Sequence, residues 1–299
     1  MANEFYIYLS ILTPLIAFFI TPLLSSNPNL RDSLGPIGGI ITFYSSLNIA
    51  SLYLNGEILS YTFFEINETL SISFKINGLG VIFGLVASGL WILASIYTIG
   101  YMRGNKEKNQ TRFFTFYSIA IFAAICIAYS GNLLTLFIFY EVLTFSTYPL
   151  VAHKQNKEAK KAGRLYMGIL VGTSIVFLLP AIIIVWVLTG SLDFTPNGVL
   201  KGNISNEYVP FLLALFAFGI GKAALMPFHK WLPAAMVAPT PVSALLHAVA
   251  VVKAGVFSML VVITHVFGID FLTETSGAVW LIWVSSITLL LSSCIAITK

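Results

Sequence analysis

Residues 221–255 read GKAALMPFHKWLPAAMVAPTPVSALLHAVAVVKAG, and this stretch decides the fold. Both flanks are apolar, yet prolines stand at 227, 233, 239 and 241, and one undisturbed helix cannot hold all four. The spacing predicts a helix ending near Pro227, a short amphipathic piece around Trp231 and a new helix starting at Thr240-Pro241. Lys222 and Lys253 mark the two edges, each inside an apolar run. Non-helical backbone at membrane depth is tolerated where protein or water covers it, and such breaks mark transport sites.

The rest of the chain supplies the membrane setting. Of 299 residues, 58% are hydrophobic and 9% are charged, against about 25% charged in an ordinary soluble domain. The mean hydropathy is +0.90. That leaves too little polar surface for a water-soluble exterior. Spanning the hydrocarbon core takes about 20 apolar residues, and nine runs qualify, near 5–24, 34–54, 76–100, 113–129, 132–152, 165–189, 209–228, 241–264 and 276–297. The expected fold is an all-α polytopic membrane protein of about nine transmembrane helices with a broken seventh. Long continuous runs exclude a β-barrel. The first run has no preceding Lys or Arg and no small-residue cleavage motif, so it reads as a retained helix.

Basic residues sort by side. The connections after the first, third, fifth and seventh runs hold Arg31, Arg103, Lys106, Lys108, Arg112, Lys154, Lys157, Lys160, Lys161, Arg164 and Lys230, with Lys299 at the end. The opposite connections hold Lys75 and Lys201 among eight acids. The positive-inside rule then puts the N-terminus outside and the C-terminus inside a bacterial cytoplasmic membrane. The net charge of +4 reflects this sorting and not nucleic-acid binding. Cys126 and Cys294 stand in apolar runs without CxxC or Cys/His spacing, which argues against disulfide, zinc and iron–sulfur chemistry.

Subtracting both loop sets leaves Glu141, Lys222 and Lys253 inside the membrane, and His247 is the one histidine well within a run. An ionisable residue at a helix centre costs roughly 2.5–3.5 kcal/mol on insertion scales, and such residues face a bundle interior or a hydrated path. Each has a plain structural alternative. Glu141 could lock one helix to another, with Thr144 and Tyr148 on its face. Lys222 could reach the inner interface, although Gly219 and Gly221 favour close helix approach. His247 could be a hydrogen-bonded core residue. Six residues place Lys253 about 240° round an ideal helix from His247, so a relay through both needs a distortion or a water. Two lysines and one carboxylate point to a proton path and away from a metal cage. A carboxylate about 4 Å from a buried ammonium contributes roughly 4 kcal/mol at an effective dielectric of 20, enough to switch a lysine between holding and releasing a proton.

These same residues carry a family resemblance. The 221–255 stretch closely resembles the signature of the antiporter-like subunits of respiratory complex I and of Mrp-type cation/proton antiporters. YEVLTFSTYPLVAH at 140–153 resembles the family's fifth-helix motif, and IYTIGYM at 96–102 with RFFTFY at 112–117 resembles its third-to-fourth helix junction. Lys253 and the STYPL run look more like the D-type branch of the Mrp subunits. The resemblance implies a longer fold with two inverted five-helix repeats. Residues 1–112 would be an N-terminal three-helix segment, 113–264 the first proton-translocating repeat, and 265–299 the start of a second. It also implies that Glu141 and Lys222 form a modulating acid–lysine pair, with His247 and Lys253 continuing a central polar axis. Two departures stand out: the run 165–189 carries no acid, and the chain ends at Lys299, which reads as a fragment or a split subunit.

The expected function is a proton-translocating subunit of a multisubunit Na+/H+ antiporter. Its partners would be other membrane subunits, protons, sodium and the lipid bilayer. The alternative is a proton-pumping membrane subunit of complex I (NADH-quinone oxidoreductase) or of a related hydrogenase complex, a part of a translocase with no redox chemistry of its own. No cofactor or metal is expected. A non-conducting scaffold is a further class, opposed by the midplane charges. A haem-carrying electron-transfer subunit needs paired mid-helix histidines, and only His247 is available.

Overall fold

The computed structural model describes residues 4–245 and 249–298. The chain runs as α1 (Glu4–Leu23), α2 (Pro28–Leu54), a hairpin of β1 (Ser60–Asn67) and β2 (Leu70–Lys75), α3 (Gly78–Gly104), α4 (Gln110–Ala128) and α5 (Leu133–Val151). Then come α6 (Lys157–Thr173), α7 (Leu179–Thr189), α8 (Val209–Gly219), α9 (Trp231–Ala234), α10 (Thr240–Ala244), α11 (Val251–Val261), α12 (Ile269–Glu274) and α13 (Val279–Thr298). A π-helical turn, Ser174–Leu178, joins α6 to α7 in one rod. A second, Val262–Phe267, extends α11.

Among the described residues, seven helices are long and apolar enough to cross a membrane, and Asn206–Gly219 and Val251–Phe267 are shorter apolar helices. These seven and two follow the nine runs in order. The seventh and eighth are the shortened ones: α8 stops at Gly219, α10 starts at Thr240 as the Thr240-Pro241 step predicts, and the longer α11 starts at Val251. The break begins earlier than expected, eight residues before Pro227, because Ile220 leaves helical geometry at φ −81°, ψ 60°.

Small polar residues cap these helices where the chain turns. Asn77, Asn132 and Asn156 each accept a hydrogen bond from the backbone N–H three residues on, starting α3, α5 and α6. The centre of the bundle is α4, of whose span 72% is buried, against none of α13.

Hydrogen bonds gather the connections into two opposite ends. At one end the hairpin, the 129–132 turn and the 190–208 loop interlock: Lys75 N–H donates to Tyr129 O, Gly131 N–H to Ser73 O, and Leu133 N–H to Leu192 O. The hairpin is the one departure from an all-α fold among the described residues. Its register includes two irregularities, between Thr62 and Phe64 and between Glu65 and Asn67. At the other end lie the basic connections, where Arg103 reaches back to Asp32 and Arg112 donates to His153 O.

Candidate functional site

Lys222 sits in the break after α8, on a single 3₁₀ turn, Gly221–Ala223, and it is completely buried. Glycines make that burial possible. A Cβ on Gly219 would strike the Leu178 backbone, and one on Gly255 would strike Lys222 and Ala223. The α6–α7 rod and α11 therefore close on the break from two sides. Trp231 bridges it by donating its indole N–H to Gly221 O at 2.9 Å, while its ring meets Tyr166 edge-on at 5.4 Å. Tyr166 in turn shares a 2.6 Å hydrogen bond with Thr147 on α5.

The ammonium points at one turn of α5. Lys222 Nζ donates to Tyr140 O at 2.8 Å and to Thr144 Oγ1 at 2.5 Å. It also stands 3.1 Å from the centre of the Tyr140 ring, a cation–π contact inside the protein. The Lys222 backbone N–H donates to the Tyr140 hydroxyl at 3.0 Å. Every one of these acceptors is neutral.

Glu141 lies beside them on the same turn, half-buried. Among the described residues no ion pair joins it to Lys222. Its Oε1 is buried and accepts no hydrogen bond there. Thr144, which the structural alternative pairs with Glu141, serves Lys222 and donates to Tyr140 O. Glu141 thus adjoins the residue whose carbonyl holds Lys222, with its buried Oε1 left over among the described residues.

Lys253 is exposed in the described chain. Helix phase is the cause: Gly255 must face the Lys222 segment, and two residues earlier is about 200° round the helix. His247 lies outside the described residues. The sequence does not single out Tyr140 and Thr144 as partners of Lys222, although both stand in the 140–153 motif. A backbone carbonyl leaves no signature in sequence, and a threonine on a membrane helix usually serves its own carbonyls.

A second buried charge cluster reads in the sequence only as loop charge. Arg31 and Asp32 are in the first turns of α2, and both are nearly fully buried. Asp32 accepts from Arg31 Nε at 2.7 Å and from Arg103 Nε at 2.7 Å. Arg31 also donates to Thr111 and Gln110, each at 3.1 Å, and lies over Phe114. Among the described residues no three His, Cys, Asp or Glu side chains are grouped to hold a metal ion.

Comparison with known proteins places this geometry. Residues 130–299 match the family described as NADH:quinone oxidoreductase/Mrp antiporter, transmembrane region. Residues 63–114 match that described as NADH-ubiquinone oxidoreductase (complex I), chain 5 N-terminus. A "Putative antiporter subunit mnhA2" of Staphylococcus haemolyticus is 30% identical over 203 residues, covering 67% of this chain and 25% of the relative. Its namesake in Staphylococcus aureus strain JH9 is 27% identical over 263 residues, covering 84% and 33%. The chain spans about a quarter to a third of the length of these relatives.

Two solved structures share the fold. One is the Mrp complex from Dietzia sp. DQ12-45-1b, with a TM-score of 0.73 at 19% identity, covering 87% of this chain and 28% of that one. The other is the membrane-bound sulfane sulfur reductase, an archaeal respiratory membrane complex, with a TM-score of 0.71 at 24% identity, covering 85% and 52%.

Proposed function

The chain belongs to the NADH:quinone oxidoreductase/Mrp antiporter family of membrane proteins, and from that premise we propose that it is a proton-translocating subunit of a multisubunit cation/proton antiporter. One observation carries the proposal. The fully buried Lys222 is held by neutral acceptors, while among the described residues the neighbouring Glu141 keeps a buried oxygen free. A charge held only by neutral groups exchanges its proton more readily than one locked to a counter-ion. A shift of Glu141 towards Lys222 would favour the ammonium, and a shift away would favour release.

In this reading residues 113–264 form the translocating repeat, preceded by a three-helix segment and followed by the start of a second repeat. His247 and Lys253 continue the path, with the exposed Lys253 handing the proton to a polar group of a neighbouring membrane subunit. Protons and sodium are the transported ions. The basic end of the bundle faces the cytoplasm of a bacterial cell, with the N-terminus outside. The mnhA2 relatives support antiport over redox-driven pumping. The complex I chain 5 match at 63–114 supports the pump as a second reading. Membership of the D-type branch remains an expectation from Lys253 and STYPL, since these relatives are named mnhA2.

The test is proton-coupled cation transport in everted vesicles carrying the assembled complex. Glu141→Gln and Lys222→Ala should each abolish most transport while assembly persists. Glutamine keeps the shape and removes the charge, so its failure separates electrostatics from packing. Wild-type transport in both variants sinks the proposal and makes these residues structural.

A further inference from the structure

At the basic end of the bundle, α4, α5 and α6 enclose an open cavity of about 400 Å³. Arg112, Lys160 and Arg164 line it together with Tyr148 and Gln155, and none of its lining residues is acidic. Glu158, the acid of the first turn of α6, sits about 200° round the helix from Lys160. Arg112 is anchored by donating Nη2 to His153 O at 2.9 Å. Its Nε is buried and makes no hydrogen bond among the described residues. Three cations around one cavity repel each other, so an anion there is stabilised by all of them.

Depth selects the anion. Helix α6 opens with Lys157, Glu158, Lys160, Lys161 and Arg164, and no further charge follows until Asp193. Arg164 therefore marks the level at which the helix leaves the headgroup region. From that level inward the surface changes character. Phe145, one turn below Tyr148 and Pro149 on α5, is 57% exposed, and Leu165 on α6 is 42% exposed. Below Arg164, Gly168 and Gly172 have open space where side chains would stand. A cationic cup above an exposed apolar strip matches an amphiphile with an anionic head.

We propose that this cavity is a binding site for the phosphodiester headgroup of an anionic glycerophospholipid, whose acyl chains lie along Phe145, Leu165 and the Gly168–Gly172 face. Basic pockets between membrane helices on the cytoplasmic side bind such headgroups, and guanidinium groups match phosphate oxygens in geometry. The bound lipid would clamp α5 to α6, the helices that carry Thr144 and Tyr166. The proposal needs only that the chain spans a membrane, so it stands or falls separately from the transport reading.

The test uses the whole chain, delipidated in a neutral detergent. Binding of phosphatidylglycerol, phosphatidylcholine and inorganic phosphate is read by native mass spectrometry and by the shift in thermal unfolding. Phosphatidylglycerol should bind the wild type and the Lys201→Gln variant, changed at the opposite end of the bundle, alike. The double variant Lys160→Gln/Arg164→Gln should bind on the order of 30-fold more weakly, as expected for two basic residues near an anionic headgroup. The charge-preserving pair Lys160→Arg/Arg164→Lys, which guards against a folding defect, should retain binding. Undiminished binding in the glutamine variant, or loss in the charge-preserving one, overturns the site. So does equal binding of phosphatidylcholine. Protection by inorganic phosphate equal to that by phosphatidylglycerol would make this a soluble-anion site and overturn the lipid assignment.

Discussion

The molecule buries charge in two places and treats it in opposite ways. At the basic end, Asp32 is clasped by Arg31 and Arg103, and both guanidiniums are further tied to Gln110, Thr111, Asn29 and Pro28 O. Beside α5, Lys222 is held by a carbonyl, a hydroxyl and a ring, with Oε1 of the nearby Glu141 unused among the described residues. The first cluster has no vacancy, so moving any member breaks several charge-assisted bonds. It fixes the approach of α2, α3 and α4. The second has a spare acceptor next to a spare charge, so its arrangement can change at low cost. Saturation marks a structural joint, and incomplete pairing marks a working group.

The sharpest test exchanges the two losses. Asp32→Ala leaves two guanidiniums facing each other and should lower stability by about 3 kcal/mol, at the low end for breaking a buried pair because Arg103 is 41% exposed. Transport per assembled complex should stay near wild type. Lys222→Met should do the reverse, since replacing a buried charge by an apolar side chain is often neutral or stabilising: transport lost, unfolding changed by less than about 1 kcal/mol. Thermal unfolding in detergent and vesicle transport, measured on both variants, decide it. Matching profiles for the two would dissolve the contrast.

A smaller change sharpens the picture of Lys222. Thr144→Val removes its hydroxyl acceptor while keeping the volume, and should cost about 1.5 kcal/mol, the low range for a bond to a charged group. Thr144→Ser should restore most of it. An unchanged melting curve in Thr144→Val would mean the ammonium has other partners.

The smallest expected effect belongs to His153, between α5 and α6 at the basic end. Burial first, and the charge of Arg112 second, hold its pKa below the usual 6.5. The folded protein then binds fewer protons there than the unfolded chain. This contribution to stability is complete above about 6.5 and is lost as pH falls through the lower folded value. Melting temperatures of the wild type should fall more steeply than those of His153→Gln on acidification from about pH 7. Parallel curves would remove His153 from the account.

Much of the fold is legible in the sequence. The nine apolar runs reappear as seven full spans and two shortened ones, because spanning hydrocarbon imposes a length and a composition that sequence records directly. The proline spacing announces the break, and Gly219 and Gly221 announce the close packing that buries Lys222. The hairpin at 60–75 has a fainter herald, one the expected all-α fold leaves out. Leu70-Ser71-Ile72-Ser73-Phe74-Lys75 alternates apolar and polar residues as a half-buried strand does, with Phe74 buried. β1 is largely exposed with Phe63 and Phe64 outward, and among nine long apolar runs the short alternation in β2 is easily passed over.

The sequence by itself determined which residues enter the membrane, which charges stay in the loops, and that three ionisable groups besides His247 would lie within it, because transfer free energy depends on the side chain alone. Only the tertiary structure decided what those groups meet. Asp32 became the centre of a buried joint because Arg103, 71 residues away, folds back onto it. Lys222 found Tyr140 O and Thr144 because α8 breaks opposite that turn of α5. Lys253 turned outward because Gly255 claimed the inner face. Partner choice depends on the phase and approach of separate helices, and those are set by packing between segments that no local pattern records.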